Sequence, residues 1–300
     1  MDMTSNQLIS WLIHYNVPHL RINTDSKDAL RVLADLCIGT GIDAGIGVVY
    51  LRKLALPALG QSVSAAGKTI MNSLIGEYYQ AYLKPLISQS ALPVNNYATA
   101  TQLNKYETLL AAQAHGLKIP ETVITNAKKI LLGFLQHNGY DTVITKPADE
   151  LCSFQADDHI YKTFVKKLTV AEIDSLPEQF FPSLFQQAVT NLLDIKTVYC
   201  FGRFYTAAYL QTGNTSTDFR SNYAHVKTLR YRLPADVEDR LDKLLKHLGL
   251  SVCTADFVLS DEGVLYFLEV NPFGQFGAIS SSCNYFIEKQ IAQQFIPYAH

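Results

Sequence analysis

The sequence predicts a mixed α/β (α+β) fold, and three observations carry that expectation. Short β-branched runs such as Asp141-Thr-Val-Ile-Thr-Lys-Pro147 read as strands. Apolar stripes at helical spacing, several with cap signals, read as helices. The two kinds of segment alternate along the chain, so sheets and helices must share cores. With 300 residues, 48% of them hydrophobic, the chain has material for two to three domains.

Three blocks follow. The first covers residues 1–98. It opens with a helix over Ser5–Tyr15, where Leu8, Ile9, Trp11 and Leu12 recur at helical spacing. Gly47-Val-Val-Tyr-Leu51 has strand character, and Lys68–Leu83 is a long helical pattern. Polar, proline-containing Ser88–Asn96 reads as a linker. The second block, 99–182, starts with a helix over Thr101–His115 stopped by Gly116. Lys118–Thr125 reads as a strand. Asn126 is placed to cap a helix over Ala127–Gln136 that ends near Asn138-Gly139. The strand Asp141–Pro147 and strand-like residues around Ile160–Val165 complete this block. The third block, 183–300, has strands at Leu184–Val189, Lys196–Phe201 and Phe204–Leu210. Pro234 opens a helix whose stripe is Val237, Leu241, Leu244, Leu245 and Leu248. Ser251–Leu259 and Val264–Val270 flank Asp261-Glu-Gly263, a hairpin signal. A last helix covers Asn284–Phe295.

Composition narrows the function. The 25 Lys and Arg nearly balance 27 Asp and Glu, a net charge of -2, which speaks against a dedicated nucleic-acid binder. The most apolar region, Leu36–Leu56, is broken by Asp43, Arg52, Lys53 and several glycines, so no membrane span is expected. Met1–Ser10 lacks a signal-peptide pattern. Cys37, Cys152, Cys200, Cys253 and Cys283 are far apart and form no C-x-x-C pair. Neither a zinc site nor a disulfide framework is expected, and the reading is a reduced, cytoplasmic protein.

The C-terminal hairpin carries the chemistry. Glu269 and Asn271 are two apart and share a strand face. A turn centred on Asp261-Glu262 pairs Asp256 with Phe267, which puts Asp256 diagonal to Glu269 on that face. A one-residue slip would destroy the arrangement. Three oxygen donors inside otherwise apolar strands suit a hard cation such as Mg²⁺. The alternative is a solvent-facing strand with ordinary polar residues. Gly67-Lys68-Thr69 does not complete a P-loop, because Gly60 is too far from Gly67. Gly39, Gly41, Gly45 and Gly47 do not fit the dinucleotide-binding pattern either. Lys146, at the end of a β-branched strand, is a candidate phosphate partner or a solvated strand end.

Asp256 followed by Glu269-Val-Asn271-Pro272 resembles the metal-binding signature of the ATP-grasp ligases, a likeness that extends over roughly 99–295. Asn104-Lys105 leading to Gly116-Leu-Lys-Ile-Pro-Glu-Thr122 is similar to the entry of that family's central domain. Val143-Ile-Thr-Lys146-Pro147 resembles its nucleotide-lysine strand, and Leu184-Phe-Gln-Gln-Ala-Val189 its adenine hinge. Asp218-Phe-Arg220-Ser-Asn222 resembles the arginine segment beside the transferred phosphate. Asn271-Pro-Phe-Gly-Gln-Phe276 and Thr217-Asp-Phe-Arg220 look most like the graspetide peptide ligases of microviridin and grasp-with-spasm type. Trp11-Leu12, Leu20-Arg-Ile-Asn23 and Tyr50-Leu-Arg-Lys53 are similar to the latter group. The family's usual first β-strand has no counterpart, Gln187 stands where many relatives have Glu, and Lys196 replaces a frequent Arg.

The resemblance implies an N-terminal α/β domain plus central and C-terminal domains that sandwich ATP. It implies Mg²⁺ on Asp256, Glu269 and Asn271, and ATP contacts from Lys105, Lys146, Gln186, Gln187, Val189 and Asp194. Asp194 would meet ribose or simply start a strand. Arg220, and more weakly Arg203, would stabilise the transferred phosphoryl group. The implied partner is a ribosomally made precursor peptide, a leader plus an acidic core, whose Asp or Glu side chains are joined to Ser/Thr hydroxyls or Lys amines. A homodimer is implied too, and neither nucleic acid nor membrane. Lys162, Lys166 and Lys167, or Lys227, Arg230 and Arg232, could offer the acidic peptide a basic surface; solvated faces are the alternative. The aromatic hairpin from Val198 to Gln211 could take a leader, or could be core. Two other functions remain at this stage: a ligase that adds a free amino acid to a carboxylate, and a silent ATP-grasp scaffold that binds a peptide.

Overall fold

The computed structural model describes residues 3–39, 46–52, 54–57, 64–147, 153–156, 159–162, 165–211 and 226–299. The N-terminal block holds α1 (Met3–His14), α2 (Ala29–Gly39), β1 (Val48–Val49), α3 (Ala65–Gln89), β2 (Leu92–Pro93) and α4 (Tyr97–Gln102). Helix α2 goes beyond the sequence expectation. It forms because Ala29 and Leu33 bury against Tyr79, Leu83, Leu86 and Ile87 of α3. The same contacts carry α3 past its expected end at Leu83, although Pro85 lies inside it. The expected linker Ser88–Asn96 therefore begins as helix and continues as β2, which pairs in parallel with β1.

The central block comprises α5 (Lys105–Ala114), β3 (Thr122–Ala127), α6 (Lys128–Asn138), β4 (Thr142–Lys146), β5 (Ser153–Ala156), β6 (His159–Lys162), β7 (Lys166–Thr169), α7 (Val170–Asp174) and β8 (Gln179–Gln187). The helix expected over Thr101–His115 is two helices, because Asn104 takes the N-cap position of α5. Asn126 does not cap α6. It lies within β3, whose pairing continues to Ala127↔Gln179, and the first helical N–H, that of Lys128, donates to Glu178 O at 3.0 Å. The end of α6 is as expected, with Gly139 left-handed at φ +68°. An antiparallel sheet in the order β3-β8-β4-β7 results, while β5 and β6 form a separate hairpin. α6 and α7 cover one face of the sheet through Leu131, Leu135, Ile173, Val143 and Phe185.

Strand β8 spans the position between 182 and 183 and runs through Ala188-Val-Thr190 straight into the next sheet. That sheet contains β9 (Asn191–Cys200), β10 (Arg203–Gln211), β11 (Val226–Tyr231), β12 (Val252–Ser260) and β13 (Leu265–Asn271). Helix α8 (Ala235–His247) precedes β12, and α9 (Gly277–Ser282), α10 (Ile287–Phe295) and a short 3-10 helix (Ile296–Tyr298) follow β13. The order is β11-β10-β9-β12-β13, antiparallel throughout. One face packs on α5 and α8 through Leu109, Leu241, Leu244, Leu245, Phe257 and Phe267. On the other face, among the described residues, helices cover one end, where Val198, Cys200, Ala207 and Val252 meet α1, α9 and α10. The opposite end of that second face carries Lys196, Asp256 and Glu269. Cys37, Cys200, Cys253 and Cys283 are free thiols, and burial pushes the Cys200 thiol up to about 12.

Candidate functional site

The β12–β13 hairpin sets the register of the site. Gly263 adopts φ +78°, its N–H donates to Ser260 O at 3.0 Å, and Ser260 N–H donates to Val264 O at 2.8 Å. The turn therefore closes one residue off its expected centre, with Phe257 facing Phe267 and Val258 facing Tyr266. Continued unbroken, that register would put Asp256 and Glu269 on opposite faces. A β-bulge, with Leu268 as the additional residue, shifts the pairing by one more residue and restores the shared face, so Asp256 faces Glu269 and Thr254 faces Asn271. The expected diagonal of Asp256 and Glu269 is thus corrected to a direct cross-strand pair.

Lysines from three other elements converge on these carboxylates. Lys196 of β9 faces Asp256 across the ladder, and its ammonium donates to Asp256 Oδ1. Lys105 opens α5 and places Nζ 3.5 Å from Glu269 Oε2. Asn104 holds that turn, its Oδ1 accepting from Tyr106 N–H at 2.8 Å and Glu107 N–H at 3.2 Å. Lys146 comes from the four-stranded sheet, on the Ile144–Lys146 face turned away from α6. Burial holds its ammonium below the ordinary lysine range, and Lys105 lowers it further against the pull of Glu269 and Asp256. Burial would raise Glu269, but Lys105, Lys146 and Lys196 together outweigh it and keep the carboxyl below its usual range. Two sheets thus meet around one charge cluster.

The other candidate residues divide. Asn271 shares the Glu269 face, and its Oδ1 accepts from Phe273 N–H at 2.9 Å, leaving one lone pair. Gln186 shares the Lys146 face, is buried, and donates to Thr122 Oγ1 at 2.9 Å. Gln187 lies on the α6 side, and its N–H donates to Glu121 O at 2.9 Å. Val189 is half-buried in the crossing between the sheets, where its N–H donates to Gln187 O. Asp194 shares the Lys196 face and accepts from Asn191 Nδ2 at 2.9 Å. The structure does not bring Arg203 into the cluster. It sits four ladder positions beyond the Lys196 pair, about 13 Å along the strand, with Nη1 directed at Gln290 Oε1. Arg220 and Asp218 lie outside the described residues.

The basic segments and the aromatic hairpin also resolve. Arg230 stacks on Tyr285 and donates to the carbonyls of Cys283 and Asn284, while Lys227 points to the other face of β11. Those two are not one patch. Lys166 pairs with Glu172 at 3.1 Å. The side chain of Lys162 lies outside the described residues. In the hairpin, Tyr199 and Phe204 join the core under α8, and Phe201, Tyr205 and Tyr209 the core under α10.

Sequence reasoning missed two contributors. Lys196 is a polar residue at a period-2 position within an apolar strand, and that is the signal that marks it. Arg52 left no such signal. It reaches the loop after Asn271 from the first block, with Nη2 donating to Gly274 O at 3.3 Å and the guanidinium 4.9 Å from the Phe276 ring centre. Gly274 lies so tightly over Thr254 that a Cβ there would sit 1.9 Å from Thr254 Oγ1. Gly274→Ala must displace the loop that begins at Asn271. If Asn271 is a metal ligand, turnover should fall by about 10²-fold and the Mg²⁺ requirement should rise; an unchanged Mg²⁺ titration would separate the loop from the site.

No family model matches the sequence, and no curated protein does. Solved structures do match. One is the macrocyclase MdnC bound with precursor peptide MdnA from Microcystis aeruginosa, at TM-score 0.80 and 20% identity, covering 99% of this chain and 96% of that one. The chain has the ATP-grasp fold. A RiPP-associated ATP-grasp ligase from Chryseobacterium gregarium, in complex with ADP and a leader and core peptide, matches at TM-score 0.70 and 20% identity. It covers 85% of this chain and 78% of that one. The ATP-grasp ligase PsnB, complexed with a phosphomimetic variant of a minimal precursor, Mg and ADP, gives TM-score 0.62, 18% identity and the same coverage. The ATP-grasp fold expected from the hairpin motif is borne out.

The donor set fits a hard divalent ion. Among the described residues no three His, Cys, Asp or Glu cluster. Here two directly opposed carboxylates and a carboxamide oxygen share one face, and all three donors are oxygen. Among the described residues no helix is long and apolar enough to cross a membrane.

Proposed function

We propose that this chain is an ATP- and Mg²⁺-dependent carboxylate ligase. On this reading it activates Asp or Glu side chains of a ribosomally made precursor peptide as acylphosphates and closes ester or amide macrocycles. The observation that carries the reading is the convergence of Lys105, Lys146 and Lys196 on the Asp256–Glu269 pair between two sheets. Its support as a peptide ligase comes from relatives solved with precursor peptides.

Mg²⁺, held by Asp256, Glu269 and Asn271, would supply Lewis-acid stabilisation of phosphate charge. The rest is the work of the chain's own residues. Lys105 and Lys146, both acting on Glu269, would neutralise the phosphate oxygens from the wall opposite the metal, each with a point charge on a flexible stem. Lys196 holds Asp256 in place by donating to its Oδ1. Gln186, with the backbone around Val189, borders the adenine, and Asp194 lies on the face where ribose would rest. Arg220 is the proposed partner of the transferred phosphoryl group. The attacking hydroxyl or amine gives up its proton as phosphate leaves. Positioning and charge stabilisation dominate, as in phosphoryl transfer generally. We place the reaction in the cytoplasm, where ATP and a newly made precursor are both present.

The test is hydroxylamine trapping. With a candidate precursor peptide that carries a leader and a core of Asp/Glu and Ser/Thr/Lys residues, ATP and Mg²⁺, the protein should release ADP, and hydroxylamine should convert the activated carboxylate into a hydroxamate. ADP release without hydroxamate would contradict acylphosphate chemistry. A second prediction concerns the cap. Asn104→Ala should cost about 1 kcal/mol of stability and loosen the turn that carries Lys105. The KM for ATP should rise in Asn104→Ala and stay near its original value in Asn104→Asp, which keeps the cap.

A further inference from the structure

We infer that a cage of oxygens between α1, α9 and α10 binds an alkali-metal cation, Na⁺ or K⁺. This site is independent of the catalytic reading. Glu288, in the first turn of α10, is buried, with 4% of its surface exposed. Ser280 Oγ donates to Glu288 Oε2, and Ile287 N–H donates to Ser280 Oγ at 2.9 Å. Glu288 Oε1 is also buried and has no hydrogen-bond partner among the described residues. Lys289, next in the chain, lies over the Trp11 ring instead, 5.3 Å from its centre. A buried carboxylate oxygen costs free energy until something answers it.

Two further oxygens face the same space. Gly277 opens α9. The point where a Cβ on Gly277 would sit lies 3.3 Å from Thr4 Oγ1, 3.4 Å from Gln7 Oε1 and 3.9 Å from Glu288 Oε1. Outside the glycine's own stretch of chain these are the nearest heavy atoms, and all three are oxygens. Thr4 and Gln7 stand three apart on α1, so they share a helix face. Segments remote in sequence thus bring three oxygens around one space, and the missing side chain at Gly277 leaves it open.

The chemistry of these oxygens selects a cation. The Thr4 hydroxyl donates to Gln275 Oε1 at 3.0 Å, so towards the space its oxygen can only accept or coordinate. The carboxamide oxygen of Gln7 and the carboxylate oxygen of Glu288 are acceptors too. A water has two protons and answers two of the three. A cation is attracted by all three together. With Glu288 as carboxylate the set carries a single negative charge, which one positive charge balances; Ca²⁺ sites gather more carboxylates. Gln7 is exposed, so the space opens to solvent on that side and waters can complete the shell. A bound ion would fasten α1 and α10 to the loop that follows Asn271, where Thr4 already holds Gln275.

Thermal melting of the full chain tests the site, with EDTA present to remove divalent ions. Midpoints are compared in the chlorides of K⁺, Na⁺ and tetramethylammonium, each at about 0.15 M so that screening is equal. Tetramethylammonium is too large for the cage. K⁺ or Na⁺ should raise the midpoint by about 2–4 °C over it, and the ion that acts at lower concentration is the occupant. Glu288→Gln should melt alike in all three salts. Gly277→Ala keeps the test open if Glu288→Gln does not fold. Gly277 lies outside the left-handed region, so alanine suits its backbone. That variant retains every ligand and fills the space with a methyl group, and it too should melt alike in the three salts. Equal midpoints for the native protein would overturn the site and leave water in the space. A salt preference that survived Gly277→Ala would place the ion elsewhere and overturn it as well. ATP turnover plays no part in the readout, so the fate of the ligase reading leaves the result standing.

Discussion

Glu269→Gln should lower ADP release by about 10³-fold while leaving the fold in place. Glutamine keeps the size of the side chain, and Glu269 is 28% exposed, so little packing is lost. The charge is what changes. Glu269 faces Asp256 directly and answers Lys105, Lys146 and Lys196 together. A neutral carboxamide leaves Asp256, among the described residues, to answer three lysines alone, and replaces a strong oxygen donor with a weak one. The proposed metal site should then need much more Mg²⁺, and raising Mg²⁺ should recover part of the turnover. If Glu269 were only a structural counter-ion, the variant would melt early and its Mg²⁺ dependence would not move. The melting curve and the Mg²⁺ titration together separate the two roles.

Phe267→Ala should be the most damaging single change to stability, about 3–5 kcal/mol. Phe267 is fully buried, and its ring stands edge-on to Phe257 with centroids 5.5 Å apart. It also anchors the bulge. Its N–H donates to Lys118 O at 2.8 Å, tying the edge of β13 to the segment that follows α5. A cavity there removes contacts from the core under α5 and α8 and loosens the register that brings Asp256 opposite Glu269. Chemical denaturation should show the loss as a lower midpoint. A change under about 1 kcal/mol would mean that the core collapses readily around the site.

Much of this was legible in the sequence, and what was not has physical causes. The alternation in Val252–Ser260 and Leu265–Asn271 and the Asp261-Glu-Gly263 turn announce the hairpin and its acidic face. They do not announce the register. The left-handed Gly263 and the bulge at Leu268 each shift it by one, and only their combination returns Asp256 to the face of Glu269. Asn126 looks like a cap, yet pairing of β3 with β8 extends to the first residue before α6 and makes a cap unnecessary. Helix α2 and strand β11 escaped because their stabilisation is tertiary: Leu33 is buried by α3, and among the described residues β11 pairs with β10 and no other strand. Arg203 looked like a phosphate partner from its neighbourhood in the sequence, but a hairpin strand carries it too far along the sheet. Lys196 reads as a substitution of one cation for another, and its partnership with Asp256 needs two strands to be laid side by side.

The most direct test of the central claim is the mass of the precursor peptide after incubation with the protein, ATP and Mg²⁺. Intramolecular condensation predicts the loss of one water for each ring closed, with one ADP released per ring, and mild alkali would then reopen esters and spare amides. A precursor that gained the mass of an amino-acid residue would instead identify a ligase of free amino acids. A peptide that bound the protein and kept its mass, with no ADP formed, would contradict the account and leave a peptide-binding ATP-grasp scaffold in its place.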